Sequence, residues 1–148
     1  MSLDINVPAV CNCTKIRRAQ RHITRLYDTC LAESGAGIRA TQFAILGFLK
    51  HEGPKTMLEL AELMTMDRAT IGHNLKPLER DGLVRIEVSK TDRRARIVSV
   101  TDEGLTRIEI GRSGWERAQA EFEKQFGSEK AKSMRNMMDD VVTLSFSN

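Results

Sequence analysis

Apolar residues return along this chain at two periods. Between residues 56 and 82 the period is helical. Leu60, Ala61 and Met64 recur at steps of a helix turn, and Ile71, Leu75 and Leu78 then fall on one face of a second helix. Thr56 with Glu59 three residues on is a capping box that starts the first of these helices. Asp67 is placed to cap the second, and Gly82 to end it. From residue 84 the period drops to two. Val84, Ile86 and Val88 alternate with Arg85 and Glu87, and Val98 and Val100 repeat the alternation after Arg96, which predicts a two-stranded hairpin.

Helical periods also bracket this stretch. A long helix is predicted over about 12–32, with Ile16, Ile23, Leu26, Tyr27, Cys30 and Leu31 as its stripe, and a shorter one over about 39–50, with Phe43, Leu46 and Leu49 inward. After the hairpin, Thr101 caps a helix reaching about residue 125, with Leu105, Ile108, Trp115, Ala118 and Phe122 at core-like spacing. Gly111 and Gly114 inside it imply a close packing or a bend. Gly127 and Ser128 open a last helix whose apolar face is Met134, Met138, Val141 and Val142. The predicted class is mainly α (α+β), a single domain over 1–148. A winged helix-turn-helix occupies 39–104, and flanking helices at 11–34 and 105–146 carry more apolar stripe than one copy covers, which predicts a homodimer.

Charge gives this frame a direction. The net charge is only +3, but residues 89–96 hold Lys90, Arg93, Arg94 and Arg96 against Asp92 alone. Three surplus positive charges on a loop form a poor core element and a good phosphate or minor-groove probe. The face of the second helix opposite Ile71 carries Ala69, Thr70, Gly72, His73, Lys76 and Arg80, cations and small hydrogen-bonding groups that suit a major groove. Pro77 should bend that helix near His73. The candidate DNA-binding residues are Arg68, Ala69, Thr70, His73, Asn74, Lys76, Arg93, Arg94 and Arg96. Lys15, Arg17, Arg18, Arg21 and Arg25 in the first helix are read as a solvated face.

DRRARIVSVTDEG (residues 92–104) resembles the MarR family (multiple antibiotic resistance regulators), in which Asp-x-Arg at the wing tip precedes an apolar residue, Thr and x-x-Gly. Asp92, Arg94, Val100, Thr101 and Gly104 hold those positions. MDRATIGHNLKPLERDGLV is similar to that family's recognition helix and following strand, and the likeness extends upstream and downstream over nearly the whole chain. The resemblance implies a dimeric transcriptional repressor, of the kind used in stress responses, that binds pseudo-palindromic duplex DNA. It implies release by a small aromatic or phenolic effector lodged between the dimer helices and the winged motif, with Trp115 as a candidate wall.

Cys13 stands fourteen residues before Tyr27, the spacing of the peroxide-reactive cysteine and its tyrosine in organic hydroperoxide regulators of the same family. Arg17, Ala40 and Phe43 replace the other tyrosines expected there. A thiol-based oxidant sensor using Cys13 and Tyr27 is therefore the alternative, although burial on the Ile16–Ile23–Tyr27 stripe would make Cys13 a slow thiol. A third reading, a winged helix used only for protein interaction, leaves the basic tip without a purpose.

Remaining features exclude other classes. The 148 residues, 41% apolar and 29% charged, describe an ordinary globular protein. No apolar run reaches membrane-spanning length, and Met1–Val10 lacks the pattern of a signal peptide, so no membrane partner and a cytoplasmic location are expected. Three cysteines fit reduced thiols. Cys11, Cys13, His22 and Cys30 diverge too far around a helix for zinc, so neither metal nor cofactor is expected. No enzyme motif is present.

Overall fold

Helix boundaries follow the caps. In this computed structural model, which describes residues 8–146, a 3-10 turn at Pro8–Val10 leads into α1 (Asn12–Ser34). Cys11 is its N-cap, and Gly35 ends it in the left-handed conformation at φ 83°. α2 (Ala40–Glu52) follows, its first N–H groups held by side chains: Asp28 of α1 accepts from the Ala40 N–H at 2.7 Å. β1 (Lys55–Thr56), α3 (Met57–Met64), α4 (Arg68–Arg80), β2 (Val84–Val88) and β3 (Arg96–Val100) form the central unit. α5 (Asp102–Phe126) and α6 (Ser128–Thr143) complete the described chain.

The predicted hairpin is part of a larger sheet. β2 and β3 pair antiparallel with Val84 opposite Val100 and Ile86 opposite Val98, and β1 adds a third strand on the other edge of β3, Lys55 opposite Val98. Two residues are too few to show an alternating pattern, which is why this strand had no signature of its own. It ties the entrance of α3 to the wing. The core beneath is aliphatic: Ile45, Leu46 and Leu49 of α2, Leu60 and Ala61 of α3, Ile71, Leu75 and Leu78 of α4, and Leu83, Val84 and Val98 of the sheet, with Ile108 from α5.

α5 packs differently from its predicted stripe. Trp115 is not a core residue; it is 38% exposed. The buried face of α5 is Gly104, Ile108, Gly111, Gly114 and Ala118. A methyl group on Gly114 would stand 2.4 Å from the Cys30 carbonyl oxygen, and one on Gly111 would stand 2.9 Å from the Phe43 ring. The helix glycines therefore mark close packing of α5 on α1 and α2, which a larger residue at those positions would prevent.

The terminal helices keep their apolar faces uncovered within one copy. Ile16 on α1 is 42% exposed, and Met137 and Val142 on α6 are 56% and 63% exposed. Among the described residues, no helix is long and apolar enough to cross a membrane.

Candidate nucleic-acid interface

The helix-turn-helix is fixed by side chains at each joint. At the start of α3 the Thr56 hydroxyl accepts the Glu59 N–H at 3.0 Å, and the Glu59 carboxylate accepts the Thr56 N–H at 3.1 Å. Hydrogen bonding from Thr56 lowers the Glu59 pKa. The turn passes through Thr65, a non-glycine residue at φ 53°, and closes with the Met66 N–H on the Ala61 carbonyl at 2.8 Å. Asp67 then caps α4 by accepting the Thr70 N–H at 2.7 Å, a bond that also lowers its pKa.

With Ile71, Leu75 and Leu78 buried, the opposite side of α4 is committed to solvent. Arg68, Ala69, Thr70, His73 and Lys76 are all exposed. Asn74 differs: it is half-buried, and its amide donates along the helix to the Thr70 carbonyl at 2.9 Å. α4 is continuous from Arg68 to Arg80 across Pro77, whose missing N–H leaves the His73 carbonyl without its usual helical donor.

The wing tip is a hydrogen-bonded turn. Ser89 and Ala95 close its neck at 2.9 Å, the Asp92 carbonyl accepts the Ala95 N–H at 3.0 Å, and the Asp92 N–H reaches the Ser89 hydroxyl at 3.2 Å. The Asp92 carboxylate accepts the backbone N–H of Arg94 at 3.0 Å. Asp92 thus shapes the tip through Arg94's backbone, and no ion pair joins it to the Arg94 guanidinium. Lys90, Arg93, Arg94 and Arg96 are exposed, and none has a carboxylate partner among the described residues. Two surfaces on one rigid unit therefore present unneutralised cations.

A clasp absent from the candidate residues holds the wing to the rest of the chain. The Thr101 hydroxyl donates to the Gly82 carbonyl at 2.6 Å and accepts the Gly104 N–H at 3.1 Å, while the Thr101 N–H donates to the Leu83 carbonyl at 3.1 Å. One residue thus caps α5 and anchors both ends of the hairpin. The Thr-x-x-Gly spacing was its signal in the sequence.

The candidate thiols are rearranged. Cys13 is exposed rather than buried on the Ile16 stripe, because it lies in the first turn of α1. The Tyr27 hydroxyl donates to Gln119 on α5. Cys11, also exposed, has the more distinctive setting: its sulfur accepts the Thr14 N–H at 3.4 Å, and hydrogen bonding from Thr14 lowers the thiol pKa. Cys30 is buried, 3.7 Å from the Arg117 guanidinium. Among the described residues no three His, Cys, Asp or Glu side chains group as metal ligands would. Trp115 lies on α5 beside Gly114, with Ile110 also exposed on that helix.

Comparison with known proteins places this geometry. The sequence profile of the MarR family matches residues 36–95. The transcriptional regulator MosR of M. tuberculosis, solved in complex with DNA, is 30% identical and superposes with a TM-score of 0.79, over 90% of this chain and 94% of that one. YdgJ of Bacillus subtilis, an uncharacterized HTH-type transcriptional regulator, is 28% identical over 110 residues, 74% of this chain and 65% of its own length. The HTH-type transcriptional regulator MgrA of Staphylococcus aureus is 24% identical over 131 residues, covering 88% of this chain and 86% of MgrA.

Proposed function

The chain belongs to the MarR family of winged helix-turn-helix transcriptional regulators, and on that premise we propose that it is a cytoplasmic homodimer that represses transcription by occupying a pseudo-palindromic operator. The observation that carries this reading is the pairing of two unneutralised surfaces, the exposed face of α4 and the wing tip, on one unit held by the Thr101 clasp. In the proposed complex Arg68, Ala69, Thr70 and His73 meet base edges in the major groove. Lys76 approaches phosphate, and Arg93, Arg94 and Arg96 follow the backbone into the adjacent minor groove. Asn74 supports the α4 surface through its bond to Thr70. Two-fold pairing of the exposed apolar faces of α1 and α6 sets the two α4 helices about 34 Å apart, one turn of DNA. The protein acts by binding and not by catalysis.

Release by a small aromatic or phenolic compound, held where α5 meets the winged unit, is the signal we propose. Trp115, a large aromatic left partly exposed on α5, supports it. A second reading, release by an oxidant, is favoured by the two exposed thiols of Cys11 and Cys13, the first with its pKa lowered. Selection of bound fragments from genomic DNA, followed by a mobility shift on the enriched sequence, tests the proposal. Enrichment of an inverted repeat with half-sites one turn apart supports it, and uniform recovery at moderate salt defeats it. Adding phenolic compounds or a stoichiometric hydroperoxide to the same complex separates the two signals.

A further inference from the structure

Positive charge on the long helices is matched in one place and unmatched in another. On α5 and α6, Arg107, Arg112, Arg117 and Arg135 each face a carboxylate, from Glu103, Glu109, Glu33 and Glu123. On α1, Lys15, Arg17, Arg18, Arg21 and Arg25 are exposed and face none among the described residues. Lys15, Arg18, Arg21, Arg25 and His22 line an open trough of about 560 Å³. At 100° per residue these five side chains span one third of the helix circumference, away from the Ile23–Tyr27–Cys30 side that packs on α5. Like charges three and four residues apart destabilise a helix, so this face gains from an anionic cover.

The opposite imbalance lies at the far end of the chain. From residue 136 to residue 146 the ionisable side chains are Asp139 and Asp140 alone. Both are exposed, and neither forms an ion pair among the described residues. They flank the exposed apolar stripe of Met137, Met138, Val141 and Val142, just as the α1 cations border the exposed Ile16. Each helix therefore carries an uncovered apolar strip edged by one sign of charge, and the two signs are complementary.

We infer that the basic face of α1 is covered by the acidic last turns of α6 from a second copy, so that the dimer is closed by two symmetry-related clusters of ion pairs. This rests on the dimer reading above and adds what orients the helices within it. A two-fold interface requires that a patch meeting its complement do so twice, and α1 and α6 of one chain supply both halves. A nucleic acid on α1 would neutralise the cations but leave the acidic, apolar end of α6 uncovered; a second copy accounts for both. In such an interface charge complementarity fixes orientation and excludes like-charged alternatives.

Sedimentation of the full chain at about 0.1 M and about 1 M sodium chloride tests this, because the Debye length falls from about 10 to about 3 Å over that range. The dimer dissociation constant is expected to rise at least about tenfold with salt. The double variant Asp139→Lys, Asp140→Lys should raise it by a similar factor at low salt, and adding Arg18→Glu with Arg21→Glu should return it to within about threefold of the parent. That restoration separates specific pairing from simple loss of fold, which helicity by circular dichroism also monitors. A parent dimer indifferent to salt and to either reversal overturns this inference and leaves the dimer standing. A parent that is monomeric at both salts overturns the dimer reading as well.

Discussion

Gly104→Ala changes one hydrogen to a methyl group and should damage the junction between the wing and α5. The new Cβ would lie 2.2 Å from the Leu83 carbonyl oxygen and 2.7 Å from Val100 Cγ2. A carbon rests about 3.3 Å or more from a carbonyl oxygen, so the start of α5 must retreat by about 1 Å. The obstacle is backbone, held by the Thr101 N–H on that same carbonyl at 3.1 Å, and it cannot rotate aside as a long side chain would. Overpacking of this kind costs about 1–3 kcal/mol, against a gain of at most about 1 kcal/mol from replacing glycine in a helix. The net expectation is a loss of about 2 kcal/mol, or about 4–8 °C in Tm for a chain of this size. Gly47→Ala is the matched control. It lies inside α2, with nothing within 4 Å of the added methyl. The same helix preference should there stabilise by up to about 1 kcal/mol. Thermal unfolding followed by circular dichroism at equal protein concentration reads both, since association shifts Tm by mass action. If the two variants move Tm in the same upward direction, the close approach at Gly104 is wrong. Operator affinity should fall for Gly104→Ala and stay at the parental value for Gly47→Ala.

Arg94→Ala should weaken operator binding by about 1–3 kcal/mol and lower the salt slope by about one, with Tm unchanged; parental affinity in a low-salt titration would remove the wing from the interface. Cys11 should react with an alkylating probe near neutral pH faster than Cys13, because the Thr14 N–H favours its thiolate; equal rates by peptide mapping would refute this. Asp67 has a folded pKa held below its ordinary 3.8 by the Thr70 N–H. A depressed carboxyl contributes stability above its unfolded value and loses it as pH falls through the folded one. Asp67→Ala should therefore be less stable than the parent at neutral pH, with the gap narrowing in acid, and a gap independent of pH would show that the cap does not act through charge.

Periodicity made α4 and the wing legible because each buries one face and wets the other. Ile71, Leu75 and Leu78 are spaced as they are because the core lies on one side, so the other side could be read by subtraction. The same reasoning failed on α5. A hydrophobic stripe counts side chains, whereas α5 approaches α1 through their absence, at Gly111 and Gly114. Once those two positions set the contact face, Trp115 is turned toward its edge, and a large aromatic at core-like spacing becomes partly exposed. Cys13 illustrates a related limit. Its angle on the helix matches Ile23 and Tyr27, but angle alone does not bury a residue; packing must also extend along the axis to it. Position in the first turn left Cys13 exposed and made its neighbour Cys11 the cap.

Polar contacts divide along the same line. Short-range ones follow from spacing in the chain: the Thr56–Glu59 box and the Asp67 cap need only residues three apart. The Thr101 clasp needs Gly82, nineteen residues away, and Thr101 could be read only as the start of a helix. Asp92 shows how this bears on function. Paired with a guanidinium, it would cancel charge at the tip. Bound to the Arg94 N–H, it orders the turn and leaves both neighbouring arginine side chains unneutralised. A tip built that way keeps its surplus charge while losing conformational freedom before any partner arrives, which lowers the entropy cost of binding. Asp92→Asn is the revealing substitution, since an amide oxygen can keep the turn while the local charge rises by one. If the carboxylate serves as a structural acceptor, Asp92→Asn should bind DNA at least as tightly as the parent, whereas Asp92→Ala, which removes the acceptor, should bind more weakly despite the same gain in charge. Equal affinities for Asn and Ala would mean that charge alone governs the wing.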